Sequence, residues 1–193
     1  MTSPSSTPTG AVPLFLTAHG LDERVARMVI LPCEAFDNFP PGLPGRMAAL
    51  AARLPGGIAL AARQLRVAWL RRSPLLLGQM AKYPLPDAIV RSWTEGAIRD
   101  AAVRRDLRAY ARGRFVADQL IADTEALAGF TGDVLVLWSP ENKPMPPDHA
   151  RALASILPSA RVAEVPDAYV LSMLDQPARV ADEMCGFLLR SLP

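Results

Sequence analysis

The last third of the chain runs strand, loop, helix twice over, and that order constrains the fold more than any other feature. "DVLVLW" (133–138) is a short apolar run that suits a strand. A Pro-rich loop follows. "HARALASIL" (149–157) then places Ala150, Leu153, Ala154 and Leu157 on one helical face, with "PPD" before it as a start signal. "ARVAEV" (160–165) is a second strand and "PDAYVLSMLDQP" a second loop. The helix from Ala178 sets Val180, Met184, Phe187 and Leu188 on one face. Strands that alternate with helices imply parallel pairing through right-handed crossovers, hence an α/β fold.

Upstream, "RMVILPC" (27–33) is a brief β-branched run that suits a strand buried on both faces. "FDNFPPGLPG" (36–45) is a loop by its Pro and Gly content. From Arg46 to Phe130 the pattern is helical: 46–54, 58–71, 86–95, 97–111 and 114–128, with Pro74, Pro84 and Pro86 breaking the stretch between the second and third. Residues 11–24 suit a short apolar helix, and residues 1–10, all Ser, Thr and Pro apart from Met1 and Gly10, suit a disordered tail.

Composition narrows the partners. With 193 residues, half of them hydrophobic, a single domain with a real core is expected. A net charge of +2 is too mild to argue for nucleic acid, and the arginines of "AIRDAAVRRDLRAYARGR" alternate with acids as on a solvated helical face. Lys82 and Lys143 are the only lysines. No apolar stretch approaches the ~20 residues of a membrane span. The run at 11–18 has no basic residue before it, so it fits a signal peptide poorly and a cytoplasmic location is expected. Cys33 and Cys185 lie far apart in apolar runs and read as small hydrophobes, not as a disulfide or metal ligands. No cofactor is expected, since neither a Gly-rich phosphate loop nor a metal cluster is present.

Taken in order, these segments resemble the C-terminal part of the α/β-hydrolase fold. "WSPENKPMP" (138–146) matches the loop after the penultimate strand, where the family writes W-G-x-x-D-x-x-x-P and the Asp is usually the triad acid. "VPDAYVLSMLDQP" (165–177) matches the loop that delivers the triad His. "DERVARMVILPCEAFDNFPP" (22–41) is similar to the helix end, strand and cap entrance after the nucleophile turn. The resemblance implies about three parallel strands with a mainly helical cap insertion: core at 11–35 and 131–193, cap at 36–130. It is most like the haloalkane dehalogenase and epoxide hydrolase branch.

The departures bear on activity. The position of the family's His is Val170, preceded by Tyr169 where the family has Gly, and the usual acid position is Asn142. The nucleophile turn aligns with "STPTG" (6–10), which puts Pro8, a residue with no nucleophilic atom, at the nucleophile position. A triad hydrolase needs nucleophile, base, acid and oxyanion hole. Ser5 and Ser6 lie in the tail with no strand before them. His19 and His149, the only histidines, read as helix-end or surface residues, with His149 facing solvent.

Two acids are candidates by the resemblance. Glu34 follows the first strand, where some family members, such as haloalkane dehalogenases, carry the triad acid; a capping or loop carboxylate is the favoured alternative. Glu141 adjoins Asn142 and substitutes for it after a one-residue shift; a solvated loop carboxylate is favoured there. Ser172 and Tyr169 lie in the old His loop. Trp69 and Trp93 either line an apolar pocket or belong to the core, the commoner fate at helical spacing.

The expected protein is an α/β-hydrolase relative, truncated at its N-terminus and inactive as this chain, whose full-length relatives hydrolyse small esters, epoxides or C–halogen bonds. The alternative is a binding or interaction module that uses the cap helices and an open sheet edge. Expected partners are a small apolar ligand and a second copy of the chain through that edge. The open edge also suits a late start of the reading frame or a decaying gene fragment, and these two together are favoured.

Overall fold

The computed structural model describes residues 25–112 and 117–189. The tail, the apolar helix expected at 11–24, the "STPTG" turn and His19 lie outside the described residues.

Three parallel strands form one sheet: β1 (Arg27–Ile30), β2 (Asp133–Trp138) and β3 (Ala160–Glu164), in the order β1-β2-β3. Met28 pairs with Val134, and Val136 with Val162. β2 matches its sequence prediction residue for residue. β1 ends three residues early, because the chain turns at Leu31–Pro32, and proline lacks the N–H that would extend a ladder.

The central strand sorts its side chains by the period of two. Val134, Val136 and Trp138 join Ile30, Leu127, Phe130 and Leu153 on one face. Leu135 and Leu137 join Val165, Val180 and Phe187 on the other. Helix α7 (Pro147–Ile156) supplies Ala150 and Leu153 to the first face. Helix α9 (Pro177–Leu188) supplies Val180 and Phe187 to the second, while Leu188, expected on the buried face, is exposed. Both faces of the sheet are therefore covered, as all-parallel sheets require. A four-residue helix, α8 (Ser172–Asp175), lies within the loop between β3 and α9.

The segment between β1 and β2 is helical. It comprises α1 (Gly42–Arg53), α2 (Gly57–Gln64), α3 (Ala68–Arg71), α4 (Asp87–Arg99), α5 (Ala101–Arg112), α6 (Ala117–Glu125) and a 3-10 turn at Ala126–Gly129. α1 packs on α5 and α2 on α4. Ala52, Ala59, Ala62 and Ala97 are among the buried residues there, and their small side chains let the helices approach closely. α5 buries none of its residues, in keeping with its solvated arginine pattern. Asp100 starts it by accepting from the Ala102 N–H at 2.7 Å.

The single helix expected over 58–71 is two. Arg66 and Val67 donate to Arg63 and Gln64 in tight turns, and Val67 is extended. The break brings Arg71 inward. Its buried guanidinium donates to the carbonyls of Leu85 and Arg66 and to Asp87. Among the described residues no helix is long and apolar enough to cross a membrane.

Candidate functional site

The C-terminal ends of parallel strands gather loops at one edge of a sheet, where α/β proteins build their sites. Here β1 delivers Cys33 and Glu34, β2 delivers Ser139, Glu141 and Asn142, and β3 delivers Asp167, Tyr169 and Val170. The helical segment meets these loops through Met80–Tyr83 and through Gly42. Gly42 adopts φ +57°, and a Cβ there would lie 2.8 Å from the Pro144 Cα, so only glycine permits this approach.

Glu34 lies half-buried on the wall of a cavity of about 480 Å³ within the helical segment. Phe39, Met47, Trp93, Ala97 and Tyr110 line it with Glu34, and the wall is mostly apolar. The Tyr110 hydroxyl donates to Glu34 Oε1 at 3.4 Å. Burial, then the Glu34 charge, pushes the Tyr110 phenol up to about 12, so it stays protonated and able to donate. The same two causes push the Cys33 thiol up to about 12. Cys33 is therefore an inert apolar thiol, as expected, whereas Cys185 is exposed.

Glu141 belongs to a different cluster. Its Oε2 pairs with Lys82 Nζ at 2.6 Å, and its Oε1 accepts from the Asp167 N–H at 2.9 Å. Lys82 also pairs with Asp167 at 2.8 Å. Asp167 in turn accepts from the Tyr83 hydroxyl and from Gln176 Nε2. Asp167 holds a left-handed φ of 59°, an uncommon conformation for a non-glycine residue that these contacts secure. Asn142 is buried beside Glu141. Its Oδ1 accepts from the Met145 N–H at 3.0 Å, and its Nδ2 has no acceptor among the described residues. No hydrogen bond joins Glu34, Glu141 or Asn142 to a histidine among the described residues.

At the position that the resemblance assigns to the family's histidine, Val170 is packed into the hydrophobic core with Met80 against it. The surrounding loop is fastened to the helical segment. Leu171 donates to the Met80 carbonyl at 2.8 Å. The buried Asp175 carboxylate accepts the backbone N–H groups of Lys82, Tyr83 and Tyr169 at 2.9–3.1 Å. Ser172 is fully buried, with its Oγ unpartnered among the described residues.

His149 does not face solvent as expected. It is half-buried, with its ring edge-on to Phe36 at 5.5 Å. Burial holds its pKa below the ordinary 6.5, against the opposing charges of Asp37 and Asp148. The two tryptophans are not core residues. Trp93 is half-exposed on the apolar cavity, and Trp69 is three-quarters exposed.

Sequence reasoning missed Asp175, Lys82 and Asp167. A lysine retained in a chain whose other basic residues are arginine, Lys143 apart, was the available signal for Lys82. Nothing in the sequence pointed to Asp175, because two of its three backbone partners are amides 92 and 93 residues away. Among the described residues no cluster of potential metal ligands occurs.

Known structures share this architecture. The chain is similar to the 2-hydroxy-6-oxo-6-phenylhexa-2,4-dienoate hydrolase of Rhodococcus sp. strain RHA1, with a TM-score of 0.71 and 20% identity over 94% of this chain and 61% of that one. It is also similar to a serine hydrolase from the polyaromatic-hydrocarbon-degrading bacterium Cycloclasticus zankles, with a TM-score of 0.69 and 15% identity over 95% and 62%. At these identities the likeness shows the fold. The chain spans about three fifths of the length of these structures. No curated protein matches it significantly in sequence. The model of the alpha/beta hydrolase family, however, matches residues 9–183. With parallel strands in the family's order and a family match over most of its length, the chain belongs to the alpha/beta hydrolase family.

Proposed function

We propose that this chain is a non-hydrolytic member of its family that holds a small apolar ligand in the cavity beside Glu34. The observation that carries the reading is Val170. It stands at the base position, has no proton to give or take, and is packed into the core. Asn142, at the acid position, spends its carbonyl oxygen on a backbone amide. Glu141 is engaged by Lys82 and the Asp167 N–H instead of by a base. The cavity supports the binding half of the reading: its volume lies within the range of small-molecule sites, and its wall is apolar with few polar groups.

Hydrolysis of a short-chain p-nitrophenyl ester by the purified chain tests the catalytic half. The expected result is no turnover above a buffer blank. Turnover that Ser172→Ala or Glu34→Gln abolishes would overturn the reading.

A second reading, an interaction module, has its own support. Leu50, Leu54 and Leu60 on and between α1 and α2 are exposed, and among the described residues β1 pairs on one edge alone. Concentration-dependent light scattering would distinguish a self-associating module from a monomeric binder.

A further inference from the structure

The cavity between the helices is not uniformly apolar. One carboxylate, Glu34, interrupts its wall, and the only hydrogen-bond donor that reaches it among the described residues is Tyr110. The described ion pairs all lie elsewhere. An ionised carboxylate on an apolar wall is costly unless a donor or a cation compensates it. A single long hydrogen bond from a phenol compensates it in part.

The remaining walls suit a cation with an apolar body. Phe39, Trp93 and Tyr110 bring aromatic rings to the cavity that holds Glu34. Phe39 and Tyr110 meet edge to face, with ring centroids 5.9 Å apart. Aromatic faces attract organic cations, and more strongly where water is displaced. Met47 and Ala97 leave room for an alkyl or aryl body.

We infer that the cavity selects a small apolar organic cation, an alkyl- or arylalkyl-ammonium ion, whose charged head sits at Glu34 and whose body lies among Trp93, Phe39 and Met47. The same carboxylate rejects an anion of equal shape, because two negative charges in an apolar site repel strongly. This selectivity rests on the reading of the cavity as a ligand site and adds the charge of the ligand to it.

Three probes of matched shape test it with the full chain: 4-phenylbutylammonium, 4-phenylbutanol and 4-phenylbutyrate. Calorimetry measures their binding, and tryptophan fluorescence follows it in parallel. In the wild-type protein the ammonium ion should bind about tenfold or more tighter than the alcohol, and the butyrate should not bind. Glu34→Gln should bring ammonium and alcohol to equal affinity, and Trp93→Ala should weaken both. Equal binding of ammonium and alcohol to the wild type would overturn the inference and leave an apolar ligand site standing. Binding of none of the three would overturn both readings. If Glu34→Gln does not fold, the wild-type comparison of the three probes decides alone.

Discussion

Replacing Asp175 tests how the loop that aligns with the family's histidine loop is held. Asp175 is 9% exposed, and its carboxylate receives three backbone N–H groups, those of Lys82, Tyr83 and Tyr169. Asp175→Ala removes the acceptor of all three at once. At about 1–1.5 kcal/mol for each bond lost from a part-buried amide, the cost is about 3–4.5 kcal/mol. That is roughly a third of the stability of an ordinary domain. Asp175→Asn keeps one carbonyl oxygen but turns an NH2 group toward an amide N–H, so about half the loss should remain, about 2 kcal/mol. Urea unfolding followed by far-UV circular dichroism measures both variants by linear extrapolation. Hydrogen exchange adds a local readout: protection at the Lys82, Tyr83 and Tyr169 amides should fall in both variants before protection in β2 does. A loss below about 1 kcal/mol for Asp175→Ala, with those amides still protected, would refute the clamp.

Two further substitutions probe the neighbourhood of that clamp. Lys82→Met should lower the melting temperature at neutral pH, and the gap from wild type should close in acid. Hydrogen bonds from Lys82 first, then from Tyr83, hold the Asp167 carboxyl below its ordinary 3.8. Its contribution is therefore present above the unfolded value and lost as pH falls through the lower folded value. Lys82 is held above its ordinary 10.5 by Asp167 first and Glu141 next, so its part is present below that value and lost as pH rises through the higher folded one. A melting-temperature gap that stays constant from neutral pH down to about pH 2 would refute the assignment. Arg71→Ala should destabilise the helical segment by about 2–3 kcal/mol in urea unfolding, because a buried guanidinium with three acceptors is lost. Arg71→Lys should not restore it, since one ammonium lacks the planar fork that reaches all three.

The sheet was legible in the sequence because its information is local. The apolar run 133–138, the helix start at "PPD" and the face of Ala150, Leu153 and Leu157 each follow from the periods of strand and helix. The order of these elements was enough to identify the family. The break at Arg66–Val67 was not legible, because the helix formers on either side favour continuation, and the buried contacts of Arg71 lie in a segment 14 to 16 residues on. The exposures of Trp69 and Trp93 were likewise decided by packing, since small alanines fill space between the helices and leave Trp93 at the cavity and Trp69 at the surface.

The residues of the candidate site divide in the same way. Sequence alone determined that position 170 carries no titratable group, because a valine cannot carry a proton wherever it is placed. It also singled out Glu34, by its place after a strand. Tertiary structure decided what stands beside these residues. It joined Glu34 to Tyr110 across 76 residues, turned Glu141 to Lys82 across 59, and fastened Asp175 to the backbone of Lys82 across 93. A carboxylate's role depends on what desolvates and partners it, and in a parallel sheet those partners arrive through long crossovers that no local pattern in the chain records.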